Sequence, residues 1–315
     1  MISVKNVKKY YKVAMREEGM SATFRHLFHR KYEVKKAVDD ISFEIKEGEI
    51  VGFIGPNGAG KSTTIKMLSG ILYPDSGEVV IDNFIPYKQR KDYVKNIGVV
   101  FGQKSQLQWD LPLIESFELL KYIYKIPEDS YRENLEKFAQ LLDMGEFLNQ
   151  PVRQLSLGQR MRGDIVAALL HAPKIVFFDE PTIGLDVVAK EKIRQFIRYM
   201  NETEHTTMIF TTHDMQDIEK VCNRLIIIDK GKMIYDGGVG EIKNKYASSK
   251  NIEMLLEDGT KKNIVFDTNK TPMNEVMEGL FSKFNIKDIS IHEAEIDGII
   301  RDIYEGVICA DEGVC

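Results

Sequence analysis

Short apolar runs separated by helical patterns occupy most of the first 240 residues. Seven segments are typical of strands: 1–8, 41–54, 79–81, 97–101, 175–178, 208–211 and 225–228. Between about 106 and 161 the apolar residues recur at helical spacing and the chain is more charged. Because strands alternate with helices, the pattern predicts an α/β layered core that contains an all-helical insertion.

The pattern changes near residue 246. Apolar segments at 252–256 and 263–266 flank the turn residues Asp258 and Gly259, which predicts a hairpin. A helix, a strand and a second helix are expected after it, within 273–304. We therefore expect two domains, 1–245 and 246–315. The first has a helical subdomain inserted at about 104–165, and the second is a small α/β domain.

Composition narrows the functional classes. The net charge of −5 argues against a general nucleic-acid binder, which should be basic. Cys222, Cys309 and Cys315 form no CxxC pair, so a disulfide framework or zinc site is not expected and a reducing cytosol fits best. The apolar runs fall well short of the roughly 20 residues that cross a membrane. The first residues also lack the apolar stretch of a signal peptide. We expect a soluble chain that reaches a membrane only through a partner.

A glycine-rich loop follows the apolar strand that ends at Ile54 and opens a helical pattern. It fits G-x-x-x-x-G-K-[ST] and consists of Gly55, Pro56, Asn57, Gly58, Ala59, Gly60, Lys61, Ser62 and Thr63. Its glycines let backbone N–H groups wrap a polyphosphate at the positive end of the helix dipole. Lys61 can reach the β- and γ-phosphates, and the Ser62 hydroxyl can bind Mg²⁺. This phosphate loop (55–63) predicts a nucleoside triphosphate site.

The apolar segment 175–178 ends in two acids, Asp179 and Glu180. A buried strand that ends in Asp places a carboxylate beside the phosphate loop, where it can hold Mg²⁺ through water. The adjacent Glu180 can polarise the attacking water as a general base. Downstream of a phosphate loop, this pair predicts hydrolysis of the bound nucleotide.

Taken together, these residues resemble the ATP-binding subunits of ABC transporters over about residues 1–240. The segment Leu155-Ser156-Leu157-Gly158-Gln159, called here the signature segment (155–159), resembles the family motif LSGGQ. The other matching motifs occur in the family's order. They are the Q-loop residue Gln103, the D-loop Gly184-Leu185-Asp186, the switch residue His213 and the adenine-stacking residue Tyr11.

The resemblance implies a P-loop NTPase (RecA-like) core with an antiparallel β subdomain and the inserted helical subdomain. ATP and Mg²⁺ are the implied cofactors. The implied catalytic residues are Lys61, Gln103, Glu180 and His213, and the implied metal site is Ser62, Gln103 and Asp179. Nucleotide contacts are expected from the phosphate loop and from Tyr11, Ser156, Leu157, Gly158, Gln159 and Asp186.

The resemblance also implies partners. ATP on the phosphate loop of one protomer is expected to be capped by Ser156 and Gly158 of a second ATPase subunit, either a second copy or a paralogue. Separate integral membrane permease subunits are expected, with this chain attached at the cytoplasmic face of the membrane. No nucleic-acid partner is expected. The closest match in pattern is the bacterial branch that serves drug, ion and polysaccharide exporters, so export is favoured over import.

Several local assignments stay open. Leu157 stands where the family motif has Gly, but the Ser156 hydroxyl and the Gly158 N–H remain, so we expect hydrolysis to survive. Tyr10 adjoins Tyr11, and the base could also lack a tyrosine partner. Trp109, the only Trp, either lines a groove for a permease helix or packs the insertion. Residues 12–36 carry a basic excess. They form either an amphipathic helix facing the permease or membrane, or a solvated excursion whose aromatic residues pack on the core.

A different class of function is a soluble ABC ATPase that acts on ribosomes, DNA or metal-cluster assembly. Ribosomal members carry two ATPase units in one chain, and DNA-repair members carry long coiled coils or zinc modules. The sequence shows one unit and neither kind of insertion. A metal-cluster scaffold partner stays open. A GTPase is disfavoured because the Asn-Lys-x-Asp base-reading motif is absent. The hypothesis favoured is a transport ATPase.

Overall fold

The computed structural model describes residues 1–14, 32–102, 104–246, 249–268, 270–293 and 296–304. The chain divides into two compact units, Met1–Asp236 and Gly237–Cys315. The division falls just before the helix Val239–Tyr246, whereas the boundary predicted from the sequence, 245/246, falls at the end of that helix. The segment 15–31 and Gln103 lie outside the described residues.

The described residues of the first unit form two sheets. Its strands are β1 (Ile2–Ala14), β2 (Tyr32–Ile45), β3 (Ile50–Ile54), β4 (Ser76–Ile81), β5 (Ile97–Phe101), β6 (Ile175–Asp179), β7 (Thr207–Thr211), β8 (Arg224–Asp229) and β9 (Lys232–Gly238). β1 pairs antiparallel with β2 and β4 in a three-stranded sheet, in the order β2-β1-β4. The other sheet has the order β5-β6-β7-β3-β8-β9, and β5, β6, β7, β3 and β8 pair in parallel.

In the described part of the first unit, seven helices connect or cover these strands. They are α1 (Lys61–Leu68), α2 (Arg90–Tyr93), α3 (Leu113–Tyr124), α4 (Glu128–Leu141), α5 (Leu157–Leu169), α6 (Val187–Glu204) and α7 (Met215–Val221), with 3-10 turns at Val94–Asn96 and Val152–Gln154. The predicted α/β alternation is confirmed, and α3, α4 and α5 lie where the sequence predicted the helical insertion.

One apolar core joins the antiparallel sheet, α1 and one face of the six-stranded sheet. Phe43 of β2 and Phe53 of β3 have ring centroids 5.8 Å apart, across the two sheets. On α1, Ile65 and Leu68 are fully buried in the same cluster. β3 and β7 are buried along their whole length, which explains why they read as continuous apolar runs rather than alternating ones.

A second contact joins the helical insertion to the rest of this unit. The ring of Phe138 on α4 meets the ring of Phe196 on α6 edge to face, with centroids 5.4 Å apart. Phe178 of β6 and Phe210 of β7 also lie side by side, 6.0 Å apart. Burial of such rings supplies both apolar area and a fixed relative geometry.

Two strand predictions need correction. The sequence predicted one strand over 41–54, but the structure ends β2 at Ile45 and starts β3 at Ile50. A turn lies between them, with Gly48 at φ 74°, and a left-handed residue of this kind interrupts a strand. β1 also continues beyond the predicted residue 8 to Ala14, because Lys12 and Ala14 pair with Val34 and Tyr32 of β2. The described ends of the basic segment 12–36 are thus strands.

The second unit begins with α8 (Val239–Tyr246). It continues with β10 (Ser249–Leu256), β11 (Lys261–Asp267), α9 (Met273–Lys283), β12 (Ile286–Glu293) and α10 (Ile296–Tyr304). β10 and β11 form the predicted hairpin, and β12 pairs antiparallel with β10 on its other side. Ile252, Met254 and Leu280 are buried at its centre. Across both units, none of the described helices has the length and apolar character that a membrane span requires.

The close packing of β5 on α5 makes a stability prediction. A Cβ at Gly98 would lie 2.4 Å from the carbonyl oxygen of Ala168, so Gly98→Ala must push the strand and helix apart. We expect the free energy of unfolding to fall by about 1–3 kcal/mol, as in other overpacked cores. Urea unfolding followed by circular dichroism measures the change.

Gly145→Ala is the matched control, because nothing lies within 4 Å of a Cβ at that position. Both substitutions restrict the unfolded chain equally. Equal unfolding midpoints for the two variants would contradict the packing argument.

Candidate active site

The phosphate loop joins β3 to α1 at the carboxyl edge of the parallel sheet. A Cβ at Gly55 would lie 2.3 Å from the carbonyl oxygen of Ile228, and one at Gly60 would lie 2.3 Å from that of Ala37. Gly60 also has a φ of 112° and precedes α1 without a side-chain cap. The first turn of α1 therefore keeps backbone N–H groups available for an anion.

The Lys61 side chain, at the start of α1, folds back onto the phosphate loop. The residue is 7% exposed, and its Nζ donates to the carbonyl oxygens of Gly55 at 2.5 Å and Pro56 at 3.3 Å. Burial lowers the pKa of the Lys61 ammonium, while the charges of Glu180 and Asp179 act in the opposite direction. An ammonium group has three donors, so the two carbonyls leave one donor for a phosphate oxygen.

The structure brings Ser62 and Asp179 together. The Ser62 hydroxyl donates to Asp179 Oδ1 at 3.2 Å, and Thr211 Oγ1 donates to the same oxygen at 2.8 Å. A hydroxyl and a carboxylate beside a phosphate loop fit Mg²⁺, which keeps several waters and takes one or two protein oxygens together with phosphate oxygens. Thr211 is a residue that the sequence analysis missed. Its position at the end of β7, parallel to β6, is the signal that could have identified it.

Glu180 and His213 meet above this pair. The Glu180 backbone has a φ of 56°, and its N–H donates to the Thr211 carbonyl oxygen at 3.0 Å and the Thr211 hydroxyl at 3.1 Å. Glu180 Oε2 lies 3.6 Å from His213 Nδ1. A left-handed conformation at a non-glycine residue costs free energy and persists only where its surroundings fix it. The Glu180 carboxylate is thus aimed by its backbone.

Two open cavities flank the phosphate loop. One, of about 670 Å³, includes Tyr11, Ala37, Asn57 and Lys61 in its lining. The other, of about 740 Å³, is lined by residues that include Asn57, Ser62, Asp179, Glu180 and His213. Both volumes lie in the range of ligand sites, and the two cavities share Asn57, Ser62 and Glu180. Gln103 lies outside the described residues, but its neighbours Gly102 and Lys104 line the second cavity.

Tyr10 and Tyr11 occupy different positions relative to the cavities. Tyr11 lines the cavity of about 670 Å³ and is 37% exposed. Tyr10 instead donates its hydroxyl to Asp39 Oδ1 at 2.5 Å. This hydrogen bond raises the pKa of the Tyr10 phenol, and burial adds to the effect. Of the two tyrosines, Tyr11 lines this cavity, and its contact with the base stays a prediction.

The signature segment begins α5. Ser156 is the N-cap, with the Gln159 N–H donating to its hydroxyl at 3.2 Å and its own N–H donating to Gln159 Oε1 at 2.9 Å. This is a capping box, so Gln159 supports Ser156 in the same chain. Leu157 is 37% exposed, and its Cδ2 would lie 3.1 Å from a Cβ at Gly184 in the D-loop. The variant leucine therefore packs beside the D-loop.

The D-loop ends in a second cap. Asp186 is the N-cap of α6, and its Oδ1 accepts from the Ala189 N–H at 2.9 Å. Ser156, Gly158 and Asp186 are not among the described residues that line the two cavities. A single chain thus assembles the phosphate loop with Asp179, Glu180 and His213, but it does not bring the signature segment to them.

One buried acid near the site was missed by the sequence analysis. Asp164 on α5 is 5% exposed, and its Oδ1 accepts from the Ser105 hydroxyl at 2.9 Å and the Gln106 N–H at 3.0 Å. Burial raises the pKa of its carboxyl to about 6, although these hydrogen bonds and Arg160 oppose the shift. The sequence signal that could have identified Asp164 was a single acid on the otherwise apolar side of a helix. Asp164 fastens the segment after Gln103 to the helix that begins with the signature segment.

These features define a class of protein. A phosphate loop between a buried parallel strand and a helix, with an acid pair at the end of a second parallel strand one strand away in the sheet, is the site of a P-loop NTPase. Its place outside the carboxyl ends of the strands follows the general rule for ligand sites in open α/β sheets.

Comparisons with known proteins place the chain within this class. A family model described as "ABC transporter" matches residues 38–183. The ABC transporter ATP-binding protein NatA of Bacillus subtilis (strain 168) is 34% identical over 212 residues, which cover 67% of this chain and 86% of NatA. The linearmycin resistance ATP-binding protein LnrL of the same organism is 30% identical over 268 residues, which cover 85% of this chain and 81% of LnrL.

A solved structure agrees with these relatives. The dimeric, post-hydrolysis ATP-binding cassette MJ0796, bound to ADP and Pi, matches with a TM-score of 0.63 and 29% identity, over 76% of this chain and 99% of that cassette. The chain belongs to the family of ATP-binding subunits of ABC transporters, and it is an ATPase of that family. The resemblance inferred from the motifs is thereby confirmed.

The raised pKa of Asp164 makes a prediction about pH. In the unfolded chain the carboxyl has its usual pKa near 4, whereas in the folded protein it has a pKa of about 6. Between these values the folded state binds the proton and the unfolded state does not. Stability therefore falls as pH rises through this window and is level above it.

We expect Asp164→Asn to lack this contribution. Measured by urea unfolding from pH 4 to pH 7, the wild-type free energy of unfolding should fall by about 2 kcal/mol relative to the variant. Asp129→Asn, which changes an exposed acid on α4, is the control and should track the wild type. Parallel curves for the wild type and Asp164→Asn would show that Asp164 does not titrate in this range.

Proposed function

We propose that this chain is the ATP-hydrolysing half of a nucleotide-sandwich dimer that drives substrate movement through separate membrane permease subunits. One observation carries the proposal. The phosphate loop, Asp179, Glu180 and His213 converge on adjoining cavities, while the signature segment of the same chain lies outside them. A second ATPase subunit, either another copy or a paralogue, would complete each site.

Nucleotide binding begins within one chain. The base stacks on Tyr11, the backbone of 55–60 wraps the phosphates, and Lys61 turns from the Gly55 carbonyl to the β- and γ-phosphates. Ser62, Asp179 and Gln103 would hold Mg²⁺, which when bound neutralises phosphate charge and orients the terminal phosphate. The 3.2 Å contact between Ser62 and Asp179 supports this pairing.

Hydrolysis then depends on two neighbouring side chains. Glu180 accepts a hydrogen bond from the attacking water and polarises it as a general base. His213 lies 3.6 Å from Glu180 and contacts the γ-phosphate as it separates. Transfer of this type relies on positioning and charge stabilisation rather than covalent chemistry. The backbone hydrogen bonds from Glu180 to Thr211 support the base assignment, since they fix the direction of the carboxylate.

The second subunit supplies the cap. The Ser156 hydroxyl and the Gly158 N–H face the γ-phosphate bound on the partner, with Leu157, Gln159 and Asp186 beside them. Ser156 is already oriented by its capping box with Gln159, and the positive end of the α5 dipole favours an anion. The nucleotide is therefore part of the dimer interface. Binding closes the dimer, and hydrolysis opens it.

The helical insertion is the docking region for the permease. Trp109 is 53% exposed and lies with its ring 5.4 Å from the Arg160 guanidinium carbon. Arg153 fixes the same turn, because its backbone N–H donates to the Trp109 carbonyl oxygen at 2.9 Å. An aromatic side chain that is held in place yet half open to solvent suits an interface better than a purely internal packing role.

Export across the membrane, with this chain on the cytoplasmic face, is the direction that we propose. LnrL, which aligns with 85% of this chain, is described as a linearmycin resistance protein, and resistance to a compound fits removal of that compound from the cell. The cargo is expected to be selected by the permease.

Glu180→Gln tests the catalytic assignment. The amide keeps the shape of the side chain but cannot act as a base, so we expect kcat for ATP hydrolysis to fall by about 10²- to 10⁴-fold. Nucleotide affinity should persist, and size-exclusion chromatography with ATP should show a trapped dimer. Glu133→Gln, at an exposed acid on α4, is the control. Wild-type turnover in Glu180→Gln would remove Glu180 from this role.

Trp109→Ala tests the docking region. We expect the variant to hydrolyse ATP normally in isolation but to lose copurification with multi-span proteins from detergent-solubilised membranes. Tyr73→Ala removes another exposed aromatic, 62% exposed and outside the helical insertion, and should leave the complex intact. Equal recovery of membrane subunits with both variants would argue against Trp109, and recovery of soluble factors alone with the wild type would argue against a transporter.

A further inference from the structure

Behind the proposed catalytic pair lies a fully buried carboxylate that the sequence analysis did not identify. Asp217 on α7 is 0% exposed. Its Oδ1 accepts from Arg194 Nε at 2.6 Å and from the second guanidinium nitrogen. Its Oδ2 accepts from the Thr182 hydroxyl at 2.5 Å and the Thr212 hydroxyl at 3.0 Å. The carboxylate therefore has four donors from three different parts of the chain.

Each of these parts leads to the active site. Thr182 lies two residues after Glu180, Thr212 lies immediately before His213, and Arg194 lies on α6, the helix that begins at the end of the D-loop. Thr182, Thr212 and Arg194 are themselves 2–3% exposed. None of them lines the two cavities beside the phosphate loop as described above, so any effect on hydrolysis must pass through their neighbours.

The turn that carries His213 depends on the Thr212 hydroxyl. This hydroxyl donates to Asp217 and accepts from the Asp214 N–H at 3.0 Å, and the Asp217 N–H donates to the Asp214 carbonyl oxygen at 3.1 Å. The His213 side chain is 62% exposed. With so little packing around the imidazole, its position is set by the backbone of this turn.

The loop after Glu180 is held in the same way. Glu180 has a left-handed backbone, a conformation that persists only where its surroundings determine it. Thr211 binds the Glu180 N–H from one side, and Asp217 holds Thr182 on the other. An ion pair in which two guanidinium nitrogens donate to one carboxylate oxygen holds a buried carboxylate in a fixed direction. Arg194 supplies it here.

From this geometry we infer that Asp217, fixed by Arg194, is a positioning residue for hydrolysis. By holding the Thr182 and Thr212 hydroxyls on one carboxylate oxygen, it sets the distance between Glu180 and His213. The inference rests on the proposed roles of Glu180 and His213 and adds the element that keeps them in register with each other and with α6.

The test removes the hydroxyls and leaves the ion pair intact. Thr182→Val and Thr212→Val preserve side-chain shape, and Asp217 stays paired with Arg194 in both. We expect each to lower kcat for ATP hydrolysis by the full-length chain by about tenfold or more, since small displacements of catalytic groups are costly. The dissociation constant for ATP should change by less than about threefold. Thr182→Ser and Thr212→Ser keep the hydroxyl and should restore kcat.

Thr207→Val is the matched control. Thr207 is also fully buried and hydrogen-bonded, with its hydroxyl accepting from the Gly48 N–H at 2.9 Å, but it starts β7 at the opposite edge of the sheet from Thr212. This variant should lower Tm to a similar extent while leaving kcat within about twofold of the wild type. Combining Thr182→Val with Thr212→Val should cost less than the product of the single effects, because both hydroxyls act through one carboxylate.

The outcomes separate cleanly. Wild-type kcat in both threonine-to-valine variants, or an equal loss in Thr207→Val, would overturn the positioning role. Failure of serine to restore turnover would also overturn it. If the wild type does not hydrolyse ATP, or if Glu180→Gln does so normally, the proposed function fails instead. The inference is supported if kcat is low in Thr182→Val and Thr212→Val but not in Thr207→Val, while the wild type is active and Glu180→Gln is inactive.

Discussion

The close approach of bare backbone around the phosphate loop is the constraint on which the rest of the site depends. At Gly55 and Gly60 the chain passes so near the carbonyls of Ile228 and Ala37 that no side chain fits. The turn after β8 completes the enclosure, because the Gly231 N–H donates to Ala59 and the Gly231 carbonyl accepts from Asp39. β2, β8 and the loop are thus held at fixed distances, and the N-terminus of α1 faces a preformed cavity.

The parallel sheet brings residues from distant parts of the chain to the phosphate loop. Strands β3, β6 and β7 are neighbours in space although long segments separate them in sequence. Their carboxyl ends deliver the phosphate loop, Asp179 with Glu180, and Thr211 to one edge. Thr211 shows how closely these ends cooperate, since one hydroxyl contacts both the Asp179 carboxylate and the Glu180 N–H. Thr211 thus positions both Asp179, proposed to hold the metal, and Glu180, proposed to polarise the attacking water.

Two buried acids extend the site into the surrounding structure in different directions. Asp164 connects α5, and with it the signature segment, to the residues that follow Gln103. Asp217 connects α6 to the loop after Glu180 and the turn before His213. Buried carboxylates of this kind need partners to offset their desolvation, and here the partners lie next to the residues of the proposed site. Asp164 thus connects the helix of the signature segment, and Asp217 the helix after the D-loop, to other parts of the site.

The sequence alone determined the features that local chemistry dictates. The phosphate loop needs its glycines and lysine in fixed order. The apolar run 175–178 predicts a buried strand, and Asp179 and Glu180 after it predict a polar strand end. The helical insertion and the C-terminal hairpin followed from periodicity. The family also followed from motif order, because each motif is short and contiguous.

Tertiary structure decided what depends on distant contacts. Only the fold shows that Tyr11 lines the cavity while Tyr10 bonds to Asp39, and that a turn at Gly48 separates β2 from β3. Thr182, Arg194, Thr212 and Asp217 look like ordinary polar residues in sequence, because nothing in their local pattern reveals that folding removes all of them from water together. Their shared burial, and therefore their energetic coupling, exists only once β6, α6, β7 and α7 have packed.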